Sequence, residues 1–152
     1  MSLLKLELIS NPDDLSWHDL VQRGFETIVT QCGIEGLEGI LLPSAIVEAV
    51  NNIIEHAYQY TDGHPIGVEA LCQGGALVVV LRDRGRPMPQ PLPPGDLPAE
   101  TAEGGRGWKI IRSVFPDVHY ERIDGENQLR LKRPLASGDL PENGPTPPSA
   151  HQ

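Results

Sequence analysis

SAIVEAVNNIIEHAYQY, residues 44–60, is the stretch on which the reading of this chain turns. Ile46, Val50, Ile53, Ile54 and Ala57 recur at helical spacing and form an apolar stripe, the mark of a helix laid on a core. Ser44, directly after Pro43, predicts the N-cap. On the opposite face Glu48, Asn52 and His56 stand four residues apart, so that a carboxylate, a neutral amide and an imidazole form a column. A solvated face is more often filled with Lys and Glu, yet no Lys or Arg occurs between Ser44 and Tyr60. Such a column suits a hard divalent cation, because magnesium takes carboxylate and carbonyl oxygens and keeps several waters. The competing reading is a surface helix with incidental polar residues.

Upstream of this helix, Leu3 to Ile9 alternates apolar and charged residues and predicts a half-buried edge strand. Asn11 to Asp14 supplies a helix start, and Leu15, Leu20, Val21, Phe25, Ile28 and Val29 carry the helical spacing to about Thr30 or Cys32. Gly33, Gly36 and Gly39 punctuate a short connection to the helix at Ser44. Downstream, T-D-G-H-P after Tyr60 is a turn by composition. Ile66–Cys72 and Ala76–Arg82 flank Gln73-Gly74-Gly75 and predict a hairpin. Ala76–Arg82 is a near-continuous apolar run, as in a central strand, and Asp83 falls at its end.

Between Asp83 and Gly107 the prolines at 87, 89, 91, 93, 94 and 98 exclude helix and sheet interior. A structureless loop of that length in a compact domain reads either as a functional lid or as a sign that the elements are wrongly assigned. Trp108, Ile110, Ile111, Val114 and Phe115 predict a short helix opened by Gly104-Gly105-Arg106-Gly107. Val118–Ile123 and Gln128–Leu131 predict a second hairpin turning on Asp124-Gly125. From Pro134 onward the composition cannot offset the entropy of ordering, so residues 135–152 are expected to be a disordered, Pro-rich tail to a single domain at 1–134.

The chain has 152 residues, enough for one sizeable core. Its formal net charge of −9 argues against a nucleic-acid or anionic-membrane footprint and points to proteins or a metal-neutralised ligand as partners. Two widely spaced cysteines, Cys32 and Cys72, suggest neither a zinc site nor a disulfide framework, consistent with a reduced, cytoplasmic protein. No basic-then-apolar leader opens the chain, and no run approaches the roughly 18 apolar residues of a membrane span.

Three separated pieces share a logic: the Glu48/Asn52/His56 helix, Asp83-Arg84-Gly85 at a strand end, and Gly105-Arg106-Gly107 at a helix start. An aspartate at a strand end can accept a hydrogen bond from an exocyclic amine, and a nearby glycine allows close backbone approach to a flat ring. A glycine-rich turn feeding a helix presents unpaired N–H groups to an anion such as phosphate. Singly these are weak signals; their order carries the argument.

In that order they resemble a known family. E-A-V-N-N-I-I-E-H-A-Y looks like the N-box of the anti-sigma-factor serine/threonine kinases, partner-switching regulators within the ATPase superfamily of gyrase, histidine kinases and mismatch-repair ATPases. L-R-D-R-G-R-P-M-P-Q-P resembles the first glycine box of that family. G-G-R-G-W-K-I-I-R-S-V-F-P-D-V-H-Y-E-R resembles the second, and the likeness spans roughly residues 1–133. The resemblance implies an α+β two-layer sandwich, with a mixed, mostly antiparallel sheet, helices on one face, and ATP held between helix and a lid at about 84–106. It implies Asn52 as magnesium ligand and Glu48 as general base for a protein hydroxyl. Asp83 would bind adenine, Gly85 would lie beside the ring, and Gly105 and Gly107 would approach the phosphates. Arg106 is a candidate phosphate contact, whereas His56 reads better as a hydrogen-bonded structural residue. Met88-Pro89-Gln90 departs from the aromatic that often follows the proline of the first glycine box.

The activity so implied is phosphorylation of a STAS-type anti-anti-sigma partner, coupled to binding of a sigma factor or other regulator, in a protein that forms a homodimer. Two alternatives stand beside it. One is a non-catalytic, nucleotide-dependent partner switch; the other is the detached ATPase domain of a phosphorelay kinase. His18 is followed by the acidic Asp19 but lacks the second helix of the hairpin that the latter would require.

Overall fold

The computed structural model describes residues 2–94 and 105–136, with residues 105 and 106 described as backbone only. Five strands form one sheet: β1 (Ser2–Ile9), β2 (Pro65–Gln73), β3 (Ala76–Asp83), β4 (Asp117–Ile123) and β5 (Glu126–Pro134). Their order is β1-β2-β3-β5-β4, and every pairing among the described residues is antiparallel, where the resemblance implies a mixed, mostly antiparallel sheet. Helices α1 (Ser16–Cys32), α2 (Gly36–Asn52) and α3 (Gly105–Val114) contribute to the core, and α2 runs directly into a π-helical turn at Ile53–Ala57. The fold is an α+β two-layer sandwich. Leu77, Val79 and Leu81 of β3 join the helical residues in one core cluster, whereas Val78 and Val80 point to the other face. Those two valines are only 2% and 1% exposed, although no described helix covers them. In the register they lie opposite Leu71 and Glu69 of β2 and Lys132 and Arg130 of β5. The stems of such side chains can shield apolar surface while their heads stay wet.

Both hairpins form where turn chemistry predicts. Gly74 and Gly75 connect β2 to β3 with φ of 60° and 75°, and Asp124 and Gly125 connect β4 to β5 with φ of 52° and 80°. Positive φ at both central residues matches the right-handed twist of the flanking strands, which is why glycine and Asp-Gly recur there. β3 is the middle strand, as its apolar run implies.

The structure departs from expectation in three places. First, α2 begins at Gly36 rather than after Pro43, so Ser44 is an interior residue and not an N-cap. Proline inside a helix removes one backbone hydrogen bond and crowds the carbonyl four residues earlier, a cost of ~3 kcal/mol. Here Pro43 is buried beside Leu42, Ala45 and Ile46, whose burial offsets that loss. Gly39 on the preceding turn passes so close to the Ile34 backbone carbonyl that no side chain fits there. Gly36 and Gly39 therefore belong to the helix, whereas Gly33 ends α1 in the left-handed conformation and lies in the short connection.

Second, α1 buries Trp17, Val21, Phe25, Ile28 and Cys32, while Leu15 and Leu20 are 64% and 49% exposed. The stripe is the one starting at Trp17; Leu15 lies just outside the helix. Third, Pro134 still belongs to β5, and Leu135 donates its N–H to the Gly75 carbonyl at 2.9 Å while packing on the core. The remaining tail, from 137, and residues 95–104 of the expected lid lie outside the described residues.

Gly36–Ala57 is by length and composition apolar enough to cross a bilayer, with a mean hydropathy of 1.4 over its best window. Its buried residues instead form the centre of the core, flanked by α1, α3 and the sheet, which explains why its apolar residues extend beyond one stripe.

Candidate functional site

The centre of the site is the second half of α2. Glu48 is partly buried, Asn52 is 7% exposed, and the adjoining Asn51 is exposed. Consecutive helical residues diverge by about 100°, so only one of two neighbouring asparagines can face inward. The Nδ2 of Asn52 is buried and has no hydrogen-bond partner among the described residues. Buried amides are ordinarily satisfied within the fold, and an unpaired one calls for an explanation such as an ion or ligand.

The column does not continue to His56. The α-helix ends at Asn52, and the π-helical turn, marked by Tyr58 N–H donating to the Ile53 carbonyl at 3.0 Å, widens the backbone. This breaks the four-residue stacking, and His56 lies half-exposed, 3.6 Å from Glu55. The widened turn has a use. Its last carbonyl, on Ala57, accepts the N–H of Arg86 at 2.9 Å.

Gly85 packs on that same carbonyl: a methyl on its Cα would lie 2.4 Å from the Ala57 oxygen and 2.7 Å from the Ala57 Cβ. The close approach seen here is therefore to the end of the central helix, whereas the resemblance assigns this glycine to a nucleotide ring. Tyr58 completes the joint, accepting the Arg84 N–H at 2.8 Å on its hydroxyl oxygen and donating to the Pro65 carbonyl at 2.6 Å.

Asp83, at the end of β3, is 5% exposed. Its Oδ1 accepts the Gly85 N–H and the Asn127 Nδ2, each at 2.8 Å. Burial pushes its pKa above the ordinary carboxylate value, while the hydrogen bonds from Asn127 and Gly85 and the nearby Arg122 pull it back. A carboxylate held this way is a directional acceptor in a dry setting.

Glycine-rich chain reaches the site at the start of α3. A methyl on Gly107 would lie 2.8 Å from Glu48 Oε1, so the helix start and the carboxylate share one wall. Trp108 is buried behind this turn, with the Arg112 guanidinium 5.9 Å from its ring centroid, which agrees with a packing role. The side chain of Arg106 lies outside the described residues, and Gly105 is placed only as the first residue of α3.

Asn127 escaped the sequence reading, as did its partners Tyr120 and Arg122. Its signal was available: in E-N-Q-L-R-L the parity that turns Leu129 and Leu131 into the core also turns Asn127 inward. A buried polar residue at a core-facing position is informative.

A groove of about 350 Å³ lies on the side of the sheet turned away from the helices, lined in part by Lys5, Glu7, Glu69, Arg82 and Glu126, and it reaches Asp83 at the strand end. It has mixed charge, with Arg82 and Glu69 paired at 3.3 Å.

Helix, strand end and glycine turn thus converge on one side of an antiparallel sheet, the arrangement of a nucleotide-binding sandwich. The chain belongs to the histidine kinase-like ATPase domain family, whose model matches residues 19–133. Membership implies ATP binding and an ATP-using activity. No curated protein matches the chain.

Proposed function

We propose that the chain is an ATP-dependent protein serine/threonine kinase of the anti-sigma-factor type, acting in the cytoplasm on a STAS-type anti-anti-sigma partner and binding a sigma factor or a similar regulator. The observation that carries this reading is the meeting of Glu48 with Gly107 one helical turn from the unpaired Asn52 amide. A proton acceptor and a helix start are then in contact, with a neutral oxygen ligand one helical turn along α2.

Asn52 can serve magnesium through its carboxamide oxygen, a hard neutral ligand, while its unpaired Nδ2 is a hydrogen-bond donor that suits an acceptor such as a phosphate oxygen or water. Among the described residues no group of three or more His, Cys, Asp or Glu could hold a metal. The fit is therefore to an ion that takes one protein oxygen, with phosphates and water as its other ligands. When bound, that ion would neutralise charge on the phosphates.

The chain's own residues supply the rest. Asp83 orients the adenine, the α3 start offers backbone N–H groups to phosphate oxygens, and Glu48 accepts the proton of the attacking serine or threonine hydroxyl. The hydroxyl oxygen bonds to the γ-phosphorus, the bond to the bridging oxygen breaks, and ADP leaves. Phosphoryl transfer needs mostly positioning and charge stabilisation, so a base one turn from the ion ligand serves both requirements.

The test is transfer from γ-labelled ATP, with magnesium, to a cognate STAS protein. Glu48→Gln should lower transfer by about 10²-fold or more while leaving ATP affinity within about twofold. ATP binding and partner exchange without transfer would instead indicate a nucleotide-dependent switch. We propose also that the chain forms the homodimer that the resemblance implies, which sedimentation of the purified chain tests.

A further inference from the structure

Asn127 lies at the start of β5 and is 3% exposed. Both ends of its amide are committed. Its Nδ2 donates to Asp83 Oδ1 at 2.8 Å, to the Arg86 carbonyl at 3.0 Å and to the Gly85 carbonyl at 3.2 Å. Its Oδ1 accepts the Tyr120 hydroxyl at 2.5 Å and Arg122 Nη1 at 2.8 Å. Two donors at one end and three acceptors at the other allow only one orientation of the amide, because a flip would oppose like groups throughout.

The same cluster grips the beginning of the loop after β3. Arg122 Nη1 also donates to the Gly85 carbonyl at 2.9 Å, and the Met88 N–H donates to Tyr120 Oη at 2.9 Å. Asp83, Gly85 and Arg86 are thus tied directly to one asparagine from the β4–β5 side, and Met88 to it through Tyr120.

Building on the nucleotide reading above, we propose that Asn127 is a positioning residue for base selectivity, holding Asp83 by Oδ1 so that Oδ2 alone faces a purine as an acceptor, matched to a 6-amino and not a 6-oxo group. Among the described residues no hydrogen bond reaches Oδ2, since both partners of the carboxylate sit on Oδ1. With its own valences filled, Asn127 acts through Asp83 and not on the base.

The consequence is chemical. An ionised Asp83 accepts from the amino group of adenine and repels the carbonyl of hypoxanthine. A protonated Asp83 can donate to that carbonyl. Loss of the Asn127 donor removes a bond that favours the ionised form, leaving burial and Glu126 on one side and the Gly85 N–H and Arg122 on the other. Arg84, whose N–H is held by Tyr58, flanks the same strand end.

Calorimetry of ATP and ITP binding from pH 5 to 8, on wild type, Asp83→Asn, Asn127→Ala and Tyr120→Phe, tests this. Asn127→Ala should lose about tenfold in ATP affinity. Its acid limb for ATP binding should move to higher pH, and its preference for ATP over ITP should narrow. Tyr120→Phe, which frees the Asn127 amide without deleting it, should move both quantities the same way by less. An unshifted acid limb with the wild-type ATP/ITP ratio in Asn127→Ala overturns the proposal, as does an equal loss for both nucleotides. Should that variant fail to fold, an unshifted limb and ratio in Tyr120→Phe overturn it. Wild type that binds neither nucleotide overturns the nucleotide reading itself. Wild-type binding abolished by Asp83→Asn but unaltered by Asn127→Ala overturns this inference alone.

Discussion

Gly107 stands against Glu48 with no room for a side chain between them: an added methyl would lie 2.8 Å from Glu48 Oε1 and 3.6 Å from its Cβ. Gly85 has the same kind of constraint against Ala57, but there the obstacle is backbone. The two glycines of the two glycine-rich segments are thus required for different reasons, one by a movable carboxylate and one by a fixed carbonyl.

Gly107→Ala should therefore leave the fold nearly intact, because the Glu48 side chain can swing aside by rotation about its own bonds. The proposed proton acceptor would leave its position in doing so. Transfer should fall by about 10²-fold, as an ångström-scale misplacement does, with the thermal midpoint changing by roughly 1 °C or less. Paired activity and melting measurements check this, and a large loss of stability would contradict it.

Gly85→Ala should behave in the opposite way. Its methyl meets the Ala57 oxygen at 2.4 Å and the carbonyl carbon at 2.6 Å, so the π-helical turn and the loop after β3 must separate. That also strains the Arg86 N–H bond to the same carbonyl. Overpacking of this kind costs about 1–3 kcal/mol, to be read as a lower urea midpoint at unchanged slope.

Tyr58→Phe removes a hydroxyl that is an acceptor for the Arg84 N–H and a donor to the Pro65 carbonyl. The ring itself stacks on His64 with centroids 4.7 Å apart, and phenylalanine keeps that shape. The expected loss is about 1–3 kcal/mol, the cost of leaving partly buried polar groups unpaired. Equilibrium denaturation measures it, and a neutral result would show that water replaces the hydroxyl.

Much of this architecture could be read in the chain because local chemistry and tertiary context agree. The alternation in Leu3–Ile9, the Gly74-Gly75 and Asp124-Gly125 turns and the continuous apolar run of β3 each specify one conformation. Where they disagree, reading failed. Pro43-Ser44 imitates a helix start, but burial of the residues around it carries α2 straight through. Glu48, Asn52 and His56 are equally spaced in sequence, yet spacing cannot reveal a π-helical turn, whose last carbonyl, on Ala57, is met by Arg86 from the loop after β3, a contact distant in sequence. Asp83 could be singled out by its place at a strand end. Asn127 could not be linked to it, because the two are joined only by the β3–β5 register, which sets Asp83 opposite Asn127.

Asp83 also ties function to stability through pH. Burial raises its pKa in the folded chain above the value of 3.8 that an unperturbed aspartate has. For an acid shifted upward, the native state binds more protons than the unfolded state between the two pKa values, so stability falls as pH rises through that window. At neutral pH the ionised carboxylate therefore costs stability, and below about pH 4 the cost is gone. Asp83→Asn keeps an oxygen acceptor for Asn127 and the Gly85 N–H but carries no charge. It should raise the melting temperature of the nucleotide-free protein at pH 7 by roughly 1–3 °C. The gain should shrink towards zero near pH 4, while ATP binding is lost. Melting curves at pH 4 and 7, with and without ATP, provide the measurement. A variant destabilised at pH 7, or equally stabilised at both pH values, would show that burial does not disfavour this charge. The direction expected is that of a residue kept for ligand recognition at the expense of the empty fold.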